Sequence, residues 1–221
     1  MADSEDERAR LDALARALIH RFQSVLAGIQ PHAEVIKRAG KNNERILGAA
    51  TQIEIALRRA RSMMSEVSEL SRPAALDIEP FEVTGWFDML RRDVQPLLTN
   101  PLQLTFEAAP DLVVSGDREE LTRAVVNLVN NAAESMPQGG AIAVTARAVA
   151  DGIEVAIADD GTGIAEEILP HIFEPLFTTR RNASGLGLAV VQRIVEGHGG
   201  TVRIESETGV GTTVTLVVRR P

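Results

Sequence analysis

Val155-Ala-Ile-Ala-Asp159-Asp160-Gly161-Thr-Gly163-Ile164 sets an apolar run against a carboxylate and then Gly-x-Gly. Such a run reads as a strand, and Asp159 then stands at the C-terminal edge of a sheet. Glycines at 161 and 163 let backbone approach a ligand closely, because no Cβ stands in the way. A carboxylate placed there can accept from an exocyclic amine and so select adenine over guanine. A tight turn with polar residues is the plainer account, and the stretch alone leaves both open.

The surroundings of this strand set the fold class. From Ile78 onward, β-rich runs recur at Phe81–Val83, Leu102–Phe106, Leu112–Val114, Ala141–Ala148, Ile153–Ala158, Thr201–Ile204 and Thr212–Val218. Helical stretches at 85–98, 118–135 and 185–197 lie between them. Strands interleaved with helices predict an α/β two-layer sandwich over 78–221.

Three further clusters flank the Asp159 strand. Upstream, Asn127-Leu-Val-Asn-Asn131-Ala-Ala-Glu-Ser puts Asn127 and Asn131 four apart on a helix, hence on one face. Their amide oxygens can ligate Mg²⁺ and their amide nitrogens can meet phosphate. Downstream, Ile172-Phe173-Glu-Pro-Leu-Phe177-Thr178-Thr179-Arg180-Arg181 carries two Phe that would anchor a loop, with Arg180 or Arg181 able to reach phosphates. Gly185-Leu186-Gly187-Leu188 then feeds an apolar helix, whose N-terminal N–H groups and dipole suit a phosphate chain. Neither a P-loop nor the Rossmann glycine spacing occurs.

Residues 1–72 have a different character. Leu11, Leu14, Leu18, Phe22, Val25, Ile29, His32 and Ile36 recur at spacings of three and four, predicting one helix over 5–39. Gly40-Lys-Asn-Asn43 suits a tight turn, and Ile46, Ala50, Ile53, Leu57, Ala60, Met64 and Val67 form a second seam. Two such narrow stripes cannot close a core alone, so the hairpin predicts a homodimeric four-helix bundle. His20 sits where the first seam slips by one residue, about 200° from Leu18, and therefore points outward. His32 lies on the seam and reads as a packed bundle residue.

Composition narrows the function. The 221 residues contain no Cys, which excludes disulfides, thiolate metal sites and a cysteine nucleophile. Residues 1–75 carry 12 Lys+Arg against 10 Asp+Glu; the total of −8 therefore leaves −10 for 76–221. An acidic second half argues against nucleic acid as a partner. No apolar run nears the ~20 residues of a membrane span, and the acidic N-terminus is unlike a secretory leader, so a cytoplasmic location is expected.

Taken in order, the four clusters of the second half resemble the ATP-binding domain shared by histidine kinases, gyrase-type topoisomerases, Hsp90 chaperones and MutL proteins, the Bergerat fold. Asn127–Asn131 resembles its N box, Asp159–Gly163 its G1 box, Phe173–Thr179 its F box and Gly185–Gly187 its G2 box. The F box and the Gly-Leu-Gly-Leu form resemble the histidine-kinase branch. The resemblance implies ATP and Mg²⁺ as ligands. Asp159 would meet the adenine amine, and Asn131 with Asn127 would hold Mg²⁺ and phosphates. Gly161, Gly163, Gly185 and Gly187 would shape the pocket and lid, with Phe173, Thr178, Thr179, Arg180 and Leu186 beside them. Asp160 stands where that family often has Asn.

Leu18-Ile-His20-Arg21-Phe22-Gln-Ser24-Val-Leu26 resembles the H box of the same kinases, which implies His20 as phosphoacceptor. Neutral imidazole is a good nucleophile near pH 7, and its phosphoramidate can pass the group on. The implied activity is an ATP-dependent protein-histidine kinase that hands the phosphoryl group to a response-regulator receiver domain. Arg21 stands where the family carries an acid, and a guanidinium cannot act as a base. Ser24 matches a position that orients water, so a phosphatase-biased bifunctional kinase is the alternative. A phosphotransfer adaptor that ignores ATP, or a serine kinase acting on an anti-sigma antagonist, are rivals from other classes. Residues 1–10 are too short for a sensor domain, so sensing is expected from a separate protein or from a part outside this chain.

Overall fold

The computed structural model describes residues 22, 25–41, 43–70, 76–95, 98, 101–180 and 183–218, with side chains in 58–70 described only at 60 and 64. The chain divides into two compact units, Met1–Pro73 and Ala74–Pro221.

In the first unit, helix α1 is described over 25–39 and helix α2 spans Glu44–Leu70. The Gly40–Asn43 cluster makes the turn between them. Gly40 N–H donates to Ile36 O at 2.9 Å and closes α1, and Asn43 N–H donates to Gly40 O at 2.8 Å. Asn43 then caps α2: its Oδ1 accepts from the N–H groups of Arg45 at 3.1 Å and Ile46 at 3.3 Å. A Cβ at position 40 would overlap the Ile46 side chain, so the turn requires glycine. Among the described residues of the hairpin, Ala33, Gly40, Ala50 and Leu57 are buried. Small side chains let the helices approach closely, and Lys37 Nζ pairs with Glu54 Oε2 across them at 2.6 Å. Ile29, Ile36, Ile46 and Ile53 of the predicted seams remain 37–42% exposed, and His32 is exposed as well. Within one chain the seam histidine is thus not packed; its neighbour Ala33 takes the buried place. Leu11, Leu14 and Leu18 lie outside the described residues.

The second unit is a mixed five-stranded sheet with helices on one face. Its elements run β1 (Glu79–Glu82), α3 (Val83–Val94), β2 (Leu102–Ala108), β3 (Val113–Gly116), α4 (Arg118–Ser135), β4 (Gly140–Val149), β5 (Gly152–Asp159), α5 (Gly187–Gly197), β6 (Thr201–Glu207) and β7 (Gly211–Val218). The sheet order is β2-β4-β5-β7-β6, and β1 pairs separately with β3. Only β2 and β4 run parallel; the other ladders are antiparallel. Two-residue periodicity assigns the faces. Ile153, Val155 and Ile157 of β5 are buried, and the register sets them beside Ala146 and Val144 of β4 and beside Val218, Leu216 and Val214 of β7.

Each helix buries an apolar stripe against that face. Leu121, Ala124, Val125, Leu128, Val129 and Ala132 form the stripe of α4; Ala189, Val190, Val191, Ile194 and Val195 form that of α5. Four aromatics cluster together: Trp86 lies 5.5 Å from both Phe81 and Phe87, and Phe87 lies 5.4 Å from Phe106, ring centre to ring centre. Trp86 Nε1 donates to Thr122 Oγ1 at 2.8 Å and ties α3 to α4.

The elements predicted for the second unit are present with shifted ends. Val83 opens α3 instead of closing β1, because its side chain is fully buried and its N–H donates to Leu112 O at 3.0 Å. The predicted helix 85–98 ends at Val94, since Pro96 has no N–H to extend the ladder. The helix predicted over 185–197 begins at Gly187, because Gly185 adopts φ +69°. No helix among the described residues is long and apolar enough to cross a membrane.

The junction between β3 and α4 is secured from three directions. Asp117 Oδ1 accepts from Glu119 N–H at 3.0 Å and Glu120 N–H at 3.1 Å, while Oδ2 accepts from Asp77 N–H at 3.1 Å. Asp117 N–H donates to His198 Nε2 at 2.9 Å, and His198 Nδ1 lies 2.7 Å from Ile194 O. That pairing assigns the proton to Nδ1, the neutral tautomer. Partial burial opposes ionisation of Asp117, yet the N–H donors of Glu120, Asp77 and Glu119 hold its carboxyl below the ordinary value of 3.8. A carboxyl lowered on folding stabilises fully above its ordinary value, and the effect is lost as pH falls through the lower, folded value. Asp117→Ala is expected to cost about 1 kcal/mol in urea unfolding at pH 7, typical of an N-cap. Fluorescence of Trp86 follows this unit alone, and the gap between variant and parent should close as pH drops below about 4.

Candidate functional site

The alternation that buries Ile153, Val155 and Ile157 carries Asp159 to the same, helix-covered face, opposite Ile142 of β4 and Thr212 of β7. Strand parity thus aims the carboxylate beneath α4. Asp159 Oδ1 accepts from Gly161 N–H at 2.9 Å and lies 3.2 Å from Ser135 Oγ, which also reaches Ala132 O at 2.8 Å. These two hydrogen bonds converge on one oxygen, and the Thr212 backbone also bears on the carboxylate. Burial pushes the Asp159 carboxyl above 3.8, and Asp160 adds to that; the Gly161 and Thr212 backbone and the Ser135 hydroxyl pull the other way without prevailing. A Cβ at Gly161 would collide with Ser135 Oγ, so glycine is needed where the loop turns past the end of α4.

Ser135 connects this end of the site to the asparagines. Asn127, Asn131 and Ser135 stand four apart along α4 and share a face. Asn127 and Asn131 are half-buried. Asn131 Nδ2 lies 3.7 Å from where a Cβ of Gly187 would project, so the asparagine faces the N-terminus of α5. Its Oδ1 accepts from Arg180 Nη2 at 3.0 Å, and Arg180 Nη1 donates to Glu134 Oε2 at 2.5 Å.

Arg180 belongs to the loop between a single 3₁₀ turn (Leu169–His171) and α5. His171 Nδ1 pairs with Glu174 Oε1 at 2.7 Å, and its ring lies 5.7 Å from Phe177. Leu176 N–H donates to Gly185 O at 2.9 Å, closing the loop at its base. Leu176 takes φ +70°, a cost for a branched residue, and its side chain is 70% exposed. Thr178 Oγ1 accepts from Arg180 N–H at 3.0 Å and so orients the arginine.

The remaining expected residues fall in several places. Phe173 is half-buried and Thr179 exposed at the loop. Leu186 is only 2% exposed, so its side chain is core and only its backbone borders the site. Gly163 at φ +65° packs on the Glu207 carbonyl, and Gly209 N–H donates to Thr162 O at 2.8 Å, which fastens the Asp159 loop to the β6–β7 hairpin. Asp160 Oδ1 accepts from Ala141 N–H at 2.8 Å; an oxygen acceptor is all that contact needs, which is why Asp serves where Asn is common. His20, Arg21, Ser24 and Arg181 lie outside the described residues.

Sequence reading missed Ser135, Glu134 and Ser206. Ser135 was signalled, since it continues the spacing of four from Asn127 and Asn131. Ser206 Oγ accepts from Ile164 N–H at 2.8 Å, reaches Gly211 O at 3.0 Å and Thr212 Oγ1 at 2.9 Å, bracing the loop behind Asp159. Nothing in Ile-Glu-Ser-Glu, an ordinary alternating strand, distinguishes it.

The family model for "histidine kinase-, DNA gyrase B-, and HSP90-like ATPase" matches residues 116–221. The sensor histidine kinase ZraS of Escherichia coli K12 is 34% identical over 215 residues, 96% of this chain and 46% of that protein. The chain therefore spans about half the length of the curated relatives it matches. The solved mycobacterial sensor histidine kinase MprB is 32% identical with TM-score 0.58, covering 65% of this chain and 99% of that one. Histidine kinase ThkA, solved in complex with response regulator protein TrrA, shares the fold at 22% identity and TM-score 0.69, covering 96% of this chain and 61% of that one. The chain belongs to the sensor histidine kinases, and its second unit is their Bergerat-type ATPase domain.

Proposed function

We propose that the chain is the catalytic core of an ATP-dependent protein-histidine kinase. In this reading it phosphorylates its own His20 and passes the group to an aspartate on a response-regulator receiver domain. The observation that carries this reading is the single face on which Asp159, Ser135, Asn131 and Asn127 meet Gly187 at the start of α5. One end of that face holds a half-buried acceptor suited to an amine, and the other holds amides and a helix N-terminus suited to phosphates. Supporting it are the ATPase family match and the ZraS likeness. The ThkA complex is a precedent for the partner in a protein of the same fold.

Asp159 Oδ2 accepts the adenine amine, while Oδ1 stays committed to Gly161 and Ser135. Among the described residues no group of three or more His, Cys, Asp or Glu side chains is placed to hold a metal. A divalent ion would therefore be shared with the nucleotide phosphates, the usual manner of Mg²⁺. The donor set fits: Asn131 Oδ1 already accepts from a cationic guanidinium, and Asn127 follows the same face. Bound there, Mg²⁺ would neutralise phosphate charge as the leaving group departs. The neutral His20 nitrogen forms a bond to the γ-phosphorus, the bond to the bridging oxygen breaks, ADP leaves with the bonding pair, and the proton of the other ring nitrogen passes to solvent, since Arg21 cannot take it.

The exposed row of Ile29, Ile36, Ile46 and Ile53 supports a homodimer through the hairpin. A second reading, bias toward phosphatase activity, is favoured by Arg21 after the histidine and Ser24 four residues beyond it. A cytoplasmic setting, with sensing by a separate protein or by a part outside this chain, completes the proposal.

Three measurements test it. Incubation with γ-labelled ATP and Mg²⁺ should give an acid-labile label that His20→Ala abolishes; nucleotide binding with no label in the parent chain would favour the phosphatase reading. Because an ionised Asp159 is the stronger acceptor and burial raises its carboxyl, binding of a fluorescent ATP analogue should weaken as pH falls, starting at a higher pH than an exposed aspartate would set. Asp159→Asn should weaken binding at least tenfold and remove that acid limb. Ile29→Glu with Ile53→Glu should turn a dimer into a monomer by sedimentation velocity, with the second unit still folded.

A further inference from the structure

Glu134 has no role in the reading above, yet it holds one of the shortest ion pairs among the described residues. Asn131 and Glu134 lie three apart on α4 and present side chains to the same side. The Arg180 guanidinium spans both, one nitrogen on Glu134 Oε2 at 2.5 Å and the other on Asn131 Oδ1 at 3.0 Å. Its backbone is oriented for this by the Thr178 hydroxyl, which accepts from Arg180 N–H at 3.0 Å. The amide oxygen assigned to a divalent ion is therefore already engaged by a cation from the protein itself.

We propose that Glu134 is a positioning residue that parks Arg180 on Asn131, so that Arg180 and the divalent ion compete for the same oxygen. The inference rests on the nucleotide-site reading above. Two facts of charge support it. A divalent ion at Asn131 Oδ1 would stand within a few ångströms of the guanidinium, where like charges repel. An amide oxygen has no net charge to hold both cations, so occupation by one favours departure of the other. The released guanidinium keeps Glu134 as a neighbour until a phosphate chain, with greater negative charge and better bidentate geometry, draws it away. Thr178 keeps the loop end in register meanwhile, so the arginine moves by its side chain while its backbone anchor persists.

The magnitude is bounded by exposure. The Arg180 and Glu134 side chains are 43% and 60% exposed, so their pair is screened and its influence on ion binding is about two- to fivefold. Were Glu134 instead a direct ligand of the ion, its loss would shift ion binding in the opposite direction. That difference in sign makes the proposal decidable.

The test uses the whole chain with a fluorescent ADP analogue, which lacks the terminal phosphate and so limits direct contact with Arg180. Mn²⁺ is titrated into the protein–nucleotide mixture and its bound fraction read by electron paramagnetic resonance. Glu134→Gln is expected to lower the Mn²⁺ midpoint two- to fivefold, and Arg180→Gln to lower it by a similar factor. The double variant should match Arg180→Gln alone, because both changes remove one competitor. A midpoint that rises in Glu134→Gln, or that stays unchanged in both single variants, overturns the proposal. If the parent chain binds no nucleotide, or binds it equally well with Asp159→Asn, the nucleotide-site reading itself fails. If Asp159-dependent binding is intact and only the midpoint shift is missing, the failure belongs to the Arg180 competition alone.

Discussion

Two periodicities must coincide at one point for this molecule to have a site. The two-residue repeat of β5 delivers Asp159 to the helix-covered face, and the turn of α4 delivers Ser135 to meet it. A shift of one residue in β5 would send Asp159 to the opposite face and bring Ala158 beneath the helix. The buried trio Ile153, Val155 and Ile157 resists that shift, because each would exchange a core position for the uncovered side. Core packing and site geometry are thus the same constraint. The Gly161 position follows from it, since the loop passes so close to Ser135 that no Cβ fits.

Charge is handled locally. Residues 76–221 carry a net −10, so the field of the unit as a whole repels an anion. Attraction must come from groups aimed at short range: the free N–H groups where α5 begins at Gly187, the amides of Asn127 and Asn131, and the guanidinium of Arg180. These share a region of α4 and its neighbours, which explains why an acidic unit can still suit a nucleotide. The Glu134 carboxylate lies in the same region and would add to the repulsion were it not paired with Arg180.

The sandwich was legible because its signals are periodic. Alternating runs and stripes at three and four residues marked every strand and helix of the second unit, and errors were confined to ends such as Val83 and Val94, where a single tertiary contact or a proline decides. The asparagine pair and Asp159 were legible because their residue types are costly to bury unless used. Ser135 and Ser206 were harder. A serine at a helix end or in a strand is commonplace, and its meaning comes from partners 24 and 42 residues away, Asp159 and Ile164. Glu134 was invisible for a related reason, since its partner Arg180 lies 46 residues on, across a loop whose path no local pattern specifies.

The hairpin raises a question of balance that the exposed isoleucines help to answer. Ala33, Gly40 and Ala50 bring α1 and α2 close, but such small side chains bury little apolar area. Full burial of an isoleucine contributes about 1.5–3 kcal/mol. Ile29, Ile36, Ile46 and Ile53 retain 37–42% of their exposure, so covering them would add about 3 kcal/mol per chain. Association costs at least about 4 kcal/mol in lost freedom. Two chains meeting through these four positions alone would therefore lie near balance. A stable pair needs the apolar repeat to continue toward Leu18, Leu14 and Leu11 on one helix and toward Met64 and Val67 on the other, and the sequence carries the repeat in both directions. The length of the seam, more than the quality of any one contact, is what would hold two copies together, and His20 lies within that length.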